Sequence, residues 1–413
     1  MGICASSTPM GSNNSKKGAA DPVVKKVIRK SGASKYGPYR CVEVAGEKKW
    51  TNSLRQDAPS FDTEGDLKKW LLDYISVNDK TDETIVREPG TLAGTQFIVN
   101  NCKNCNFWLL DYTSTITIDK CEDCRFFIGP CESSLFIRDS KNCKAVMAVG
   151  QLRTRDCHNM DILLYSQTEP VIEKSTGIKF GCFRSSYFNL KKQMEMCGLH
   201  PFQNRWFDVH DFTPDTGNNW SKIRSDAFPV DLLNELPQTV GDVASFSGYE
   251  NVATGEQGSD VAGAEATTVP SAIPYTHGDD IALASVTTEE TLKHGFVYVF
   301  PHEQSVDAAS EVVDVVIREN NALSESNVQL VRTKAFQMEK WMAEKFFEDK
   351  ATVEKSMSGD SIGMHFYGEN CDKVVKIIES ELGARNENVL FFPGDAKERS
   401  SMYFDEFKIS EST

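Results

Sequence analysis

From Val99 the chain reads V-N-N-C-K-N-C-N-F-W-L-L, from Ile118 I-D-K-C-E-D-C-R-F-F-I-G, from Ile137 I-R-D-S-K-N-C-K-A-V-M-A, and from Thr154 T-R-D-C-H-N-M-D-I-L-L-Y. The four starts are 19, 19 and 17 residues apart. A fixed period near 20 marks a solenoid, in which each repeat buries its apolar face only by stacking on its neighbours. Each line is a short apolar strand, a tight turn rich in Asn, Asp and Lys, and a second apolar strand. That composition predicts the coils of a β-helix rather than a helical repeat. The pattern extends from Thr95 to Cys182.

Cys102, Cys105, Cys121 and Cys124 form C-x2-C-x15-C-x2-C, a zinc-site spacing. The phase of the repeat argues for another reading. Zinc needs four thiolates converging on one point, whereas these pairs occupy equivalent places in successive coils. The same two places continue as Ser140 and Cys143, then as Cys157 and Met160. Ser and Met suit a small inward slot, not a metal ligand, and a free Cys packs as a small buried hydrophobe. The sequence therefore predicts a ladder of cysteines along the core, with no metal.

Working outward, the chain begins Met1-Gly2-Ile3-Cys4-Ala5-Ser6, which fits the N-myristoylation pattern with Gly2 as acceptor. Cys4 stands where a second acyl chain is added, and two chains hold a membrane far more firmly than one. Lys16, Lys17, Lys25, Lys26, Arg29 and Lys30 would favour an anionic leaflet. These features predict a lipidated, largely unstructured segment over 1–60, although 39–44 has the pattern of a short strand. Leu67, Trp70, Leu71, Tyr74 and Ile75 recur at helical spacing within 63–77. A β-helix domain with its flanking helix and an aromatic-rich excursion is expected over 61–237. Residues 238–292 read as a flexible acidic linker, since no Lys or Arg lies between Arg224 and Lys293. Strands and helices alternate over 293–413, which predicts a small α/β sandwich. Its helices are expected over 307–320, 336–348 and 372–382.

Over 413 residues the net charge is −15, which leaves no basic surplus for phosphate and argues against general nucleic-acid binding. Twelve cysteines without a signal-peptide apolar stretch predict reduced thiols in the cytosol. No apolar run reaches the length of a membrane span.

The coils, the lead-in R-E-P-G-T-L-A-G-T-Q-F from Arg87, the exit I-K-F-G-C-F from Ile178 and the box H-D-F-T-P from His210 together resemble the tubulin-cofactor-C-like β-helix family. The resemblance is close over 80–220. It implies a right-handed parallel β-helix followed by a linker and a small ferredoxin-like, nucleoside-diphosphate-kinase-like α/β domain. Lipidated members of the family act as GTPase-activating proteins for Arf-like small GTPases and keep lipidated cargo moving into cilia and flagella. The resemblance thus implies an Arf-like partner that itself binds GTP and magnesium, so that this chain carries no cofactor of its own. Tubulin is a further partner that the family implies. The expected location is the cytoplasmic face of the plasma membrane, at the ciliary or flagellar base.

The family's arginine finger lies in a Q-x-R context, here Gln151-Leu152-Arg153. GTP hydrolysis spreads charge over the γ-phosphoryl and bridging oxygens, and a guanidinium inserted in trans stabilises it, contributing about 10³–10⁵ in rate. Arginine suits the task because its planar fork stays charged and binds two oxygens at once. The family often carries two consecutive Gln before the hydrophobe, whereas this chain has Gly150 at the first place. By the same resemblance, Glu173 and Phe212 are expected to grip the partner, and Arg155 is a nearby cation at the rim. The competing expectation is an anchored effector or scaffold that binds the GTP-loaded partner without accelerating hydrolysis. In the C-terminal domain, His302 and His365 do not lie in the N-x-x-H-x-S/G context of a phospho-acceptor, which predicts an inactive kinase-like module.

Overall fold

The computed structural model describes Tyr36 and residues 39–44, 47–53, 59–183, most of 185–223, Pro274, Thr276, 293–322, 328–386 and 388–407. An antiparallel hairpin of β1 (Tyr39–Val44) and β2 (Glu47–Asn52) comes first, then α1 (Glu64–Ile75). The Thr63 hydroxyl caps α1 by accepting the Asp66 amide, and Leu67 and Leu71 bury against Tyr36 and Tyr39. Regular structure therefore starts inside the 1–60 segment that composition assigns to unstructured chain. Tyr39 and Trp50 find their burial on α1, a long-range contact that the local composition does not announce.

The solenoid strands are β3 (Ser76–Asn78), β4 (Thr84–Arg87), β5 (Phe97–Asn100), β6 (Asn106–Leu109), β7 (Ile116–Asp119) and β8 (Arg125–Arg138). They continue as β9 (Lys144–Arg155), β10 (His158–Ser166), β11 (Val171–Glu173) and β12 (Thr176–Cys182). After helix α2 (Leu190–Cys197), β13 (His210–Asp211) and β14 (Trp220–Lys222) complete the stack. All of these pairings are parallel. One ladder runs through β3, β5, β7, the second halves of β8 and β9, β11 and β13. The other runs through β4, β6, the first halves of β8 and β9, β10, β12 and β14. This is the β-helix that the 19-residue period predicts.

The tight turns explain the Asn and Asp content. In each turn two residues three apart take positive φ: Asn101 and Asn104, Lys120 and Asp123, Asp139 and Asn142, Asp156 and Asn159. Asn and Asp tolerate the left-handed region better than other side chains. Their side chains also stack: Asn104 Nδ2 donates to Asp82 Oδ1 at 2.6 Å and Asn142 Nδ2 to Asp123 Oδ1 at 3.3 Å.

The cysteines fall into two inward columns. Cys102, Cys121, Ser140, Cys157 and Ser175 form the first, and Cys105, Cys124, Cys143 and Met160 the second; all are buried. The cysteines of both columns, and the serines of the first, hydrogen-bond in one way. Cys121 Sγ donates to Asp119 O at 3.4 Å and Ser140 Oγ to Arg138 O at 2.8 Å, each to the carbonyl two residues before it. The thiols thus follow one another along the solenoid axis. Among the described residues no group of three or more His, Cys, Asp or Glu converges as metal ligands would. Burial pushes the Cys131 and Cys157 thiols up to about 11, so they stay protonated.

The C-terminal domain is β15 (Lys293–Val299), α3 (Ser305–Ala322), β16 (Gln329–Gln337), α4 (Lys340–Phe346), α5 (Lys350–Ser356), β17 (Asp360–Gly368), α6 (Cys371–Ile378), β18 (Leu390–Phe391) and α7 (Ala396–Ser401). The sheet is antiparallel with the order β16-β17-β15-β18, the ferredoxin-like order. The helix expected over 336–348 is shorter, α4 alone, and a second short helix, α5, lies beyond that range. β16 runs on to Gln337, and Asp349 starts α5 by accepting the Thr352 amide at 2.8 Å. The domain is fastened to the β-helix by the excursion after α2. Phe202 is buried in the α/β core, and Gln203 Oε1 accepts the Ala335 amide of edge strand β16 at 2.8 Å. Most of the 238–292 linker lies outside the described residues. Thr276 is described and buried, with its hydroxyl accepting the Trp206 indole N–H at 3.0 Å.

Candidate functional site

The two ladders of the β-helix differ on their outer sides. The ladder through β4, β6 and β10 is apolar outward as well as inward: Trp108, Phe127, Val146, Leu163 and Tyr165 are buried beneath α2 and its flanking chain. The ladder through β7, β8, β9 and β11 keeps its outer side in solvent. Along the second half of β9, Leu152 and Thr154 point inward and are buried, while Arg153 and Arg155 point outward and are exposed. The two-residue alternation of a strand produces this directly.

The register sets out two outward columns. Thr117, Phe136, Arg153, Val171 and His210 form one, and Asp119, Arg138, Arg155 and Glu173 the other. Phe212 follows β13 and continues past Glu173, its amide donating to Ile172 O at 2.9 Å. The five residues expected to act on a partner, Gln151, Arg153, Arg155, Glu173 and Phe212, therefore come together on one face of three adjacent coils. Residues Gly2 and Cys4 lie outside the described residues.

Arg153 is exposed, and its Nε donates to Gln151 Oε1 at 3.0 Å. Its guanidinium carbon stands 5.8 Å from the centre of the Phe136 ring. No carboxylate among the described residues pairs with it. The neighbouring arginines are engaged: Arg138 bonds both oxygens of Asp119 at 2.7 Å, and Arg155 Nε reaches Asp156 at 3.2 Å. Gln151 is half-buried, and its Oε1 also accepts the Ser134 hydroxyl at 3.3 Å. Glu173 is half-buried beside Arg155.

The H-D-F-T-P box works by pinning its neighbours. Asp211 accepts the Thr213 amide and the Asn219 Nδ2, each at 2.8 Å, and Thr213 Oγ1 accepts the Lys174 amide at 2.8 Å. Phe212, between them, is left 63% exposed with its ring 4.5 Å from that of His210. Phe136, 37% exposed, was not marked by sequence reasoning, because Leu135-Phe136-Ile137 reads as uninterrupted core. The strand's alternation was the available signal.

Gly150 has a steric reason to be glycine. Between Cys131 and Ser134, β8 carries one more residue than β9 does between Val149 and Gln151. The extra residue presses the Glu132 carbonyl toward Gly150, and a Cβ there would lie 2.5 Å from that oxygen. The place where the family resemblance leads one to expect Gln thus lies against a bulge in the preceding coil.

In the C-terminal domain His302 is exposed and its Nδ1 accepts the Gln304 amide at 3.1 Å. His365 is buried in β17, and sequence reasoning passed over its partner His294, whose Nδ1 lies 3.0 Å from His365 Nε2. Burial, aided by Arg332, pushes His365 down to about 3, which keeps it neutral.

A parallel β-helix with this outward face defines the class: a cofactor-C-like domain. The family model described as tubulin binding cofactor C matches residues 94–212. The human protein XRP2 is 33% identical over 329 residues, covering 79% of this chain and 84% of that protein. The chain belongs to the XRP2 family. Zebrafish protein XRP2 is 52% identical over 150 residues, 36% of this chain, and the match spans only 40% of that protein's length. Human tubulin-specific chaperone C is 28% identical over 159 residues, 38% of this chain and 45% of that protein.

Proposed function

We propose that this chain is a membrane-anchored GTPase-activating protein for an Arf-like small GTPase, with Arg153 entering the partner's nucleotide site in trans. The observation that carries this reading is the Arg153 guanidinium: outward, exposed and without a carboxylate partner among the described residues. A solvated structural arginine gains nothing from the arrangement around it. A finger gains a rigid strand beneath it, a glutamine amide on its Nε and exposed aromatics at both ends of the face. Gln151 holds the finger, while Glu173, Arg155 and Phe212 fix the partner's register. GTP and magnesium belong to the partner. Acyl chains on Gly2 and Cys4 hold the protein on the cytoplasmic face of the membrane at the base of a cilium or flagellum, where it serves the traffic of lipidated proteins. The kinase-like domain, with buried, neutral His365 set against half-buried His294, serves as a stabilising module.

A second reading is favoured by Gly150: an anchored effector that binds the GTP-loaded GTPase, or tubulin, without accelerating hydrolysis. Single-turnover hydrolysis by a GTP-loaded Arf-like protein separates the two. Arg153→Ala is expected to slow stimulated hydrolysis by about 10³-fold or more while binding to the GTP form persists. Equal stimulation by wild type and variant would remove the finger. Tight binding with no stimulation by wild type would establish the effector.

A further inference from the structure

We propose that Phe136 is a positioning residue for Arg153, forming with Gln151 a two-sided clamp that sets the guanidinium before a partner arrives. The inference rests on the GTPase-activating reading and assigns a role to a residue outside its motif.

Three observations meet here. Phe136 lies directly beside Arg153 in the preceding coil, and the guanidinium carbon is 5.8 Å from its ring centre, within the reach of a cation–π contact. Phe136 is 37% exposed although the inward slots of its strand hold buried Leu135 and Ile137, so core packing does not account for a large aromatic there. Gln151 Oε1 takes the Arg153 Nε–H at 3.0 Å and is itself fixed by the Ser134 hydroxyl at 3.3 Å.

The clamp divides the guanidinium by function. Its Nε is spent on Gln151 and one side is turned to the ring. The two terminal nitrogens have no partner among the described residues and form the fork that meets two phosphoryl oxygens. A free arginine on a strand samples many rotamers and loses that freedom only on docking. Holding it beforehand shifts the cost from the reacting complex to the folding of the β-helix. Val171, in register on the far side, has no polar group to compete for the guanidinium.

Phe136→Leu keeps the bulk and removes the ring; Phe136→Tyr restores it. The first measurement uses the full chain alone, following the Arg153 Nε–H by NMR. Phe136→Leu is expected to lower the order parameter of that group and abolish the ring-current shift of the Arg153 side chain, and Phe136→Tyr to preserve both. An equally ordered Arg153 in Phe136→Leu would overturn the clamp. The second measurement is single-turnover GTP hydrolysis by an Arf-like GTPase over a range of concentrations of this protein. Phe136→Leu is expected to lower the maximal rate about three- to tenfold with little change in the half-saturating concentration. A raised half-saturating concentration with an unchanged maximal rate would overturn the proposal and make Phe136 a simple contact. If wild type gives no acceleration, the GTPase-activating reading falls, and the NMR measurement still decides the clamp.

Discussion

Strand β9 is treated in two ways along its length. From Ala145 to Val149 every residue is buried, because the inner side faces the solenoid core and the outer side lies under α2. From Gln151 to Arg155 burial alternates, because only the inner side is covered. A parallel sheet covered on both faces needs near-continuous apolar sequence, and one open to water needs alternation. The covered half secures the spindle. The open half is free to carry charge and exposed aromatics at low cost in stability; Gln151, Arg153 and Arg155 lie on it, and Glu173 and Phe212 continue the same face on the next two coils.

This contrast is open to attack at its extremes first. Phe127 on the covered side stacks 5.6 Å from Trp108 and meets Tyr187 edge-on at 5.9 Å. Phe127→Ala is expected to destabilise the β-helix by about 3–5 kcal/mol. In denaturant unfolding Phe136→Ala on the open side should cost less than about 1 kcal/mol. Similar losses for both would erase the distinction between the sides.

The junction of the two halves comes next. Gly150→Gln supplies the residue that the family resemblance leads one to expect but sets a Cβ 2.5 Å from the Glu132 carbonyl. Overpacking against backbone should cost about 1–3 kcal/mol in unfolding experiments, and the displaced strand should also slow stimulated hydrolysis. A stable variant with faster hydrolysis would show that the bulge yields easily and that the glycine, not the bulge, limits activity.

The smallest effects lie in the core columns. Cys121→Ser places a hydroxyl in a column where Ser140 and Ser175 already donate to the carbonyl two residues back, at 2.8 and 2.9 Å. It should cost under about 1 kcal/mol. Cys143→Ser keeps an acceptor, the Lys141 carbonyl that Cys143 Sγ already meets at 3.3 Å, but enters a column that continues as the apolar Met160 and Ile178, and should cost about 1–3 kcal/mol. Equal costs would mean that the columns are not chemically distinct.

Much of this was legible in the sequence, and the exceptions have physical causes. The period of 19 carried the solenoid, since stacking forces like residues into like places. The substitution of Ser140 and Met160 in the cysteine phase carried the two columns. The family resemblance singled out Arg153, and the structure turns it outward because its neighbour Leu152 points in. The bulge opposite Gly150 was hidden, because it is a relation between two coils and leaves no trace in β9 alone. Phe136 was hidden because an exposed phenylalanine between two core residues has the composition of core. The hairpin at Tyr39 was only hinted at, since its burial comes from α1. Only α4 falls within the helix expected over 336–348, because β16 continues to Gln337; α5 starts beyond that range at the Asp349 cap, a side-chain bond that helical periodicity does not weigh. His294 belongs with His365 only through the pairing of β15 and β17.

The central claim is that the open face offers one guanidinium to charge developing on a nucleotide held by another protein. GDP with aluminium fluoride imitates that charge in the nucleotide site of a small GTPase, and groups that act only in the transition state bind it selectively. The decisive measurement is the affinity of wild type and Arg153→Ala for an Arf-like protein carrying GDP and aluminium fluoride, beside the same protein carrying a non-hydrolysable GTP analogue. The account predicts that Arg153→Ala loses about 10²-fold or more in affinity for the aluminium fluoride form and little for the GTP form. Equal affinity of wild type and variant for the aluminium fluoride form would contradict it.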